Sequence, residues 1–379
     1  MPSPATRAAN PQEADRWIGA TYRVRAAADA IDARAQAIAL EQSVELPLQA
    51  VSDARVLGEV VARVADIVEC VPGTFDVSIR LAAETTGCEA GQLLNMLFGN
   101  TSLHDDVTLV DADFPAVFAA HFGGPRFGIA GIRTIAGVPK RALTCAALKP
   151  QGLATSQLAA LAATYARAGI DVVKDDHGLA DQRASPFAER VMAVQRAIDA
   201  ANDETDGHCV YAPSLTGHYG EIRAAAAQAR EAGARMLMLA PMISGVASLA
   251  ALARDANVPI LAHPAMAGGA RIAPPLLMGK LFRLFGADAT IFPYAGGRFG
   301  YSAETCVDIA DAARGSWLGL TPMLPVPGGG MSVARVPELR ARFGDDVMLL
   351  IGGSLLVARE EVPARCREFA AAVAAEGER

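Results

Sequence analysis

From Arg141 onward, short apolar runs alternate with amphipathic stretches at a regular spacing. The runs are Leu143–Leu148, Ile170–Val173, Cys209–Ala212, Met236–Leu239, Pro259–Ala262, Ala289–Phe292, Leu318–Leu324 and Val347–Ile351. Each is continuous in hydrophobicity, as a strand covered on both faces must be. Between them lie alanine-rich stretches with helical spacing, among them Ser156–Ala168, Phe187–Asn202, Glu221–Ala232, Val246–Ala256 and Ala303–Arg314. This alternation predicts a parallel sheet with right-handed crossovers. Eight such units over residues 141–379 predict a closed (β/α)8 TIM barrel. A doubly wound open sheet is the main competitor. The first strand, however, is followed by Lys149-Pro150-Gln151-Gly152-Leu153 and not by a glycine-rich dinucleotide fingerprint.

Residues 1–140 carry a different pattern. Ile18–Arg25 alternates like a strand, Ala26–Ile38 is helical, and Glu59–Ile67 and Phe75–Ala82 suit half-buried strands. Cys88–Phe98 follows as a helix and Asp106–Val110 as a strand. The βαββαβ order predicts a small α+β, ferredoxin-like domain. Gly123-Gly124-Pro125 and the stretch from Gly128 to Gly137 are expected to link it to the barrel, and the first 15 or so residues to form a mobile arm.

The 379 residues suit about two domains. With 52% hydrophobic and 20% charged residues, the chain has the composition of a packed globular protein. A net charge of −7 argues against a nucleic-acid partner but not against a small anionic substrate, which a few local cations and backbone N–H groups can hold. The six scattered cysteines form no CxxC pair, which points to a reducing, cytoplasmic compartment. The opening MPSPATRAANPQEADRW has no apolar signal core, and no apolar stretch is long enough for a membrane span.

In a barrel, chemistry concentrates just past the C-terminal ends of the strands. Read there in order, the chain offers Lys149-Pro150, then Lys174-Asp175-Asp176-His177-Gly178, then His263-Pro264. The loop bearing Arg298 follows, then Gly328-Gly329-Gly330 and Gly352-Gly353. Lys174 and Asp176 share one strand face by the period of two. The carboxylate and the adjacent imidazole of His177 suit a divalent metal, although a solvated turn with an aspartate cap would use the same residues. The glycine turns allow backbone N–H groups to approach a phosphate, or they merely permit tight turns. Lys149, partly desolvated at a strand end, is a candidate base, or else a lysine that snorkels to water. His263 is a candidate catalytic residue, or equally a capped core histidine, and Arg298 reads as an anion clamp or a plain surface arginine. His104, His121, His208 and His218 receive no role.

These segments resemble, in the same order, the RuBisCO large chain. The resemblance rests on Lys149-Pro150, Gly169-Ile170-Asp171-Val172-Val173-Lys174-Asp175-Asp176, His263-Pro264-Ala265-Met266, Pro325-Val326-Pro327-Gly328-Gly329-Gly330, and Phe343-Gly344-Asp345-Asp346 with Gly352-Gly353. In the first domain, Glu41 and Asn100 resemble the two residues that the family lends to the partner subunit's site, which implies a homodimer with its active site at the subunit interface.

The departures bear on function. His177 stands where carboxylating members have a metal-binding glutamate, Gln151 where they have a second lysine, Pro264 where they have an arginine, and Arg298 where they have a loop lysine. The strand 6 histidine is lost to Ile291-Phe292, and Gly328 replaces a serine. The resemblance therefore implies a RuBisCO-like protein that does not fix CO2. It would work through a metal-stabilised enediolate, with Mg²⁺ or Mn²⁺ held by Lys174, with or without a carbamate on its amine, Asp176 and His177. In a second arrangement, His177 turns away and water takes its position. The base would be Lys149 or carbamylated Lys174. Gly328, Gly329, Gly330, Gly352, Gly353 and Arg298 would hold one anionic end of the substrate.

The KPQGL and KDDHGL segments look like the branch that decarboxylates or transcarboxylates and hydrolyses 3-oxo-isoapionate 4-phosphate. The alternative is an enolase or isomerase of a methylthio-sugar phosphate. A barrel that only binds a ligand is the non-catalytic reading.

Overall fold

The computed structural model describes residues 15–375. The arm expected at the N-terminus falls outside them. The described residues divide into two compact units: those up to Phe122 with Gly269–Leu276, and Gly123–Gly268 with those from Leu277 onward.

The first unit is built on an antiparallel sheet of β1 (Trp17–Arg25), β2 (Arg63–Val71), β3 (Thr74–Ala82) and β4 (Val107–Asp113), in the order β2-β3-β1-β4. Helices Ile31–Glu41 and Ala90–Phe98 complete the predicted βαββαβ order. The inward residues of β1 alternate as Ile18, Ala20, Tyr22 and Val24, all buried. The Tyr22 hydroxyl donates to the Leu97 carbonyl at 2.6 Å, which satisfies the buried phenol and ties the second helix to the sheet. The segment from Gly269 joins this unit by a parallel bridge between Leu109 and Ile272.

The second unit is a ring of parallel strands. One ladder runs through β13 (Met348–Ile351), β5 (Leu143–Leu148), β6 (Val172–Asp175) and β7 (Val210–Ala212). The other runs through β8 (Ser214–Leu215), β9 (Leu237–Leu239), β10 (Ile260–Ala262), β11 (Ala289–Pro293) and β12 (Leu324–Gly328). β7 and β8 are halves of one barrel strand interrupted at Pro213, and β12 packs beside β13, so eight strands close the ring. Their inward residues, such as Cys145, Met238, Leu261, Leu324 and Met348, form a continuous buried core.

Two sequence expectations are corrected. The strand placed at Leu318–Leu324 begins only at Leu324 and continues to Gly328. Leu318 and Gly319 take left-handed backbone angles (φ 50° and 70°) and make a turn instead. Pro325 and Pro327 had disguised the strand. The N–H of Leu324 donates to the Asp288 backbone carbonyl on the β11 side at 2.9 Å. By strand alternation, the missing N–H groups of the two prolines face β13, where no ladder forms. The second correction concerns the expected linker: Gly128–Ala136 is a helix. Ile129, Ile132 and Ala136 recur at helical spacing and pack into the barrel core. The Asp288 carboxylate accepts the Phe127 and Gly128 N–H groups at 2.7 and 2.8 Å and fixes the start of this helix.

Candidate active site

The ends of β5, β6 and β10 bring Lys149, Lys174, Asp176, His177 and His263 together. Alternation along β6 sorts the three consecutive polar side chains. Asp175 turns outward to Arg190, which donates from Nε at 3.2 Å. Asp175 also accepts from the Tyr211 hydroxyl at 2.7 Å and the Ser214 N–H at 3.1 Å. Lys174 and Asp176 take the opposite side and are also buried.

Asp176 is the hub. Lys149 ion-pairs with its Oδ2, while Gly178 N–H (3.0 Å) and the Gln151 amide (3.3 Å) donate to Oδ1. Burial pushes the Asp176 carboxyl up, but hydrogen bonds from Lys149 and Gly178 and the Lys149 charge outweigh it, bringing it down to about 2. Gln151, which the sequence marked only as a missing lysine, is thus part of the site. Its amide lies so close over Gly178 that a side chain there would have to push Gln151 aside. Lys149 is 34% exposed at the barrel mouth, and a methyl at Gly352 would stand 3.7 Å from its Cε. Lys174 lies deeper, its Nζ donating to the Asp175 carbonyl at 2.8 Å, and burial lowers its pKa.

His263 and His177 stack, with centroids 4.1 Å apart and planes inclined by 11°. The His263 Nδ1 accepts the Ala265 N–H at 3.2 Å, so the neutral ring carries its proton on Nε2. Burial, then the neighbouring Lys174 charge, pushes its pKa from 6.5 down to about 2. His263 is therefore a neutral hydrogen-bond donor, not a base.

A stability prediction follows from the sign of this shift. The unfolded chain takes up the proton first as pH falls. The contribution is full above pH 6.5 and is lost between there and about 2, at up to about 1.4 kcal/mol per pH unit. Thermal unfolding of His263→Gln followed from roughly pH 7 to pH 5 should show a flatter loss than wild type. Parallel curves would refute this account of the ring.

The remaining candidates lie elsewhere or are held differently. Arg298 sits on an exposed loop with its guanidinium 5.5 Å from the Phe299 ring. Gly329 and Gly330 have φ of 79° and 95°, and a methyl on Gly330 would stand 2.8 Å from the Gly297 Cα. Close packing of two loops thus already requires glycine at position 330, whether or not an anion binds. Gly353 opens a short helix after β13. In the first unit, the Asn100 amide donates to Glu41 at 3.0 Å and also contacts Glu45.

The donor set suits a divalent cation only in part. Among the described residues, no group of three His, Cys, Asp or Glu is placed to hold one. His177 and His263 stack face to face, and the Nδ1 lone pair of His263 is taken by the Ala265 N–H. Asp176 supplies one carboxylate. The buried Lys174 amine, its pKa lowered, has the chemistry to take up CO2 and supply a second.

The family profile "Ribulose bisphosphate carboxylase large chain, catalytic domain" matches residues 128–357. The chain is 51% identical to the 5-methylthioribulose-1-phosphate isomerase of Rhodospirillum rubrum, over 94% of this chain and 96% of that protein. It is 36% identical to the 2,3-diketo-5-methylthiopentyl-1-phosphate enolase of Geobacillus thermodenitrificans, over 69% and 66% of the two chains. The crystal structure of a Rubisco-like protein from Rhodopseudomonas palustris superimposes with a TM-score of 0.90 at 47% identity, covering 96% of this chain and 99% of that one. Of the two activities left open by the sequence, these names carry the methylthio-sugar phosphate chemistry; the decarboxylase reading finds no support in them.

Proposed function

This chain belongs to the RuBisCO large-chain family, as a RuBisCO-like protein, and on that premise we propose that it isomerises a phosphorylated methylthio-pentulose and does not fix CO2. The carrying observation is the gathering of Lys149, Lys174, Asp176 and neutral His263 at the strand ends of one barrel. Isomerising a ketose phosphate requires removing a proton beside the carbonyl, holding the resulting enediolate, and returning a proton to a different carbon.

Lys149, at the mouth and oriented by Asp176, is suited to carry that proton. The Nε2–H of His263 is suited to hydrogen-bond an enediolate oxygen, since a neutral donor does not surrender its proton to that oxygen. The Gly329-Gly330 and Gly352-Gly353 turns and Arg298 would hold the phosphate. A divalent ion such as Mg²⁺, when bound by Asp176 and a carbamate on Lys174, would polarise the carbonyl. His177, Gln151 and Pro264 support a role other than carboxylation. The same reading includes a homodimer whose sites are completed by Glu41 and Asn100 of the partner.

The test is incubation with 5-methylthioribulose 1-phosphate and Mg²⁺ in D2O, followed by proton NMR. Isomerisation with deuterium entering carbon positions is expected. Unchanged substrate, with turnover of 3-oxo-isoapionate 4-phosphate in a parallel tube, would overturn the proposal.

A further inference from the structure

Arg335 lies outside the catalytic cluster but holds together two loops at the barrel mouth. Its Nη2 donates to the Ala295 carbonyl at 2.8 Å, and its guanidinium stands 4.9 Å from the Tyr294 ring centroid. Glu338, one helical turn on, accepts from Arg335 Nε and Nη2, both at 3.2 Å, and from the Tyr294 hydroxyl at 2.9 Å. Arg335 and Glu338 follow β12, whereas Tyr294 and Ala295 follow β11.

The backbone continues this joint. The Tyr294 N–H donates to the Gly328 carbonyl at 2.9 Å, and the Arg298 N–H to the Gly329 carbonyl at 3.2 Å. A side chain at Gly297 would collide with the Gly329 carbonyl. The loop bearing Arg298 is thereby docked along its length on the glycine turn.

We infer that Arg335, locked by Glu338 and Tyr294, is a positioning residue that joins the Arg298 loop to the Gly328–Gly330 turn as one preassembled phosphate receptor. The latch itself needs no particular sugar. Its use in catalysis rests on the function proposed above, in which this end of the site holds the phosphate. Preassembly matters because ordering a loop at the moment of binding subtracts from affinity.

The test uses the full-length protein with Arg335→Gln, Arg335→Lys and Glu338→Gln. Two quantities are read: amide exchange of residues 294–300 and 328–331 with and without inorganic phosphate, and the steady-state constants for 5-methylthioribulose 1-phosphate. In wild type, phosphate is expected to slow exchange in both segments together. In Arg335→Gln, exchange should be faster, protection by phosphate should be lost, and KM should rise roughly tenfold with kcat changing much less.

Arg335→Lys cannot span Ala295 and Glu338 with a planar fork and should resemble the glutamine variant. Glu338→Gln retains an acceptor for Tyr294 and should be intermediate. It also serves as the test if the Arg335 variants fail to fold. Unaltered exchange and phosphate protection in Arg335→Gln, or in Glu338→Gln if that alone folds, overturns the latch. Altered exchange in a protein whose wild type does not turn over the sugar phosphate counts against the proposed substrate and leaves the latch standing.

Discussion

Replacing Lys149 by methionine is expected to lower kcat for the proposed isomerisation by about 10²- to 10⁴-fold, the usual contribution of a positioned proton carrier. Methionine is similar in length and keeps an apolar stem against the Gly352 turn, so the barrel rim should remain packed. What disappears is the ammonium paired with Asp176. Asp176 keeps its hydrogen bonds from Gly178 and Gln151. The loss should therefore appear in turnover and in deuterium wash-in at carbon, with substrate KM changing little. Steady-state kinetics and proton NMR in D2O read both. A Lys149→Met protein retaining more than about a tenth of wild-type kcat would remove Lys149 from the proton path.

The second large effect is on stability. Arg190 and Asp175 are both fully buried. Arg190 also donates to the carbonyls of Ser185 (2.7 Å) and Ala180 (3.1 Å), tying down the loop that follows His177. Arg190→Met strands the Asp175 charge in the interior and frees those carbonyls. Removing one partner of such a pair costs about 3–5 kcal/mol. The double variant Arg190→Met with Asp175→Leu should recover a substantial part of this, because no lone charge remains. Urea unfolding of the three proteins measures the difference. A loss below about 1 kcal/mol in the single variant would mean that water or another group solvates Asp175.

The architecture was legible because hydrophobic continuity and spacing are local properties of a chain. Seven of the eight apolar runs overlap barrel strands along much of their length, and the βαββαβ order of the first unit was readable from strand-like and helix-like stretches in turn. Where local chemistry and tertiary context disagree, reading failed. At Pro325 and Pro327, residues that normally exclude a strand sit in one because their missing N–H groups face an unpaired side. At Gly128–Ala136, the glycines suggested a linker, while Ile129 and Ile132 were already spaced as a helix.

The site was legible as a set of strand-tip residues, but its wiring was not. The bond from Gln151 to Asp176, the stacking of His177 on His263 and the tautomer of His263 depend on distances between separate strands. Arg190 looks like an ordinary helix arginine in the sequence and Arg335 carries no signal there; only the fold puts a buried carboxylate beside one and a neighbouring loop beside the other.

The alternating prolines of β12 leave the barrel wall with an unstitched joint. On its two sides stand Gly328–Gly330 and Gly352–Gly353, and across it the Gly328 backbone rests on the Leu350 side chain, where a methyl at position 328 would meet Cδ2 at 3.0 Å. Contact across this joint is thus made by side-chain packing rather than by a hydrogen-bonded ladder. A larger or smaller side chain at position 350 would therefore press on or release Gly328 without breaking a backbone hydrogen bond between β12 and β13.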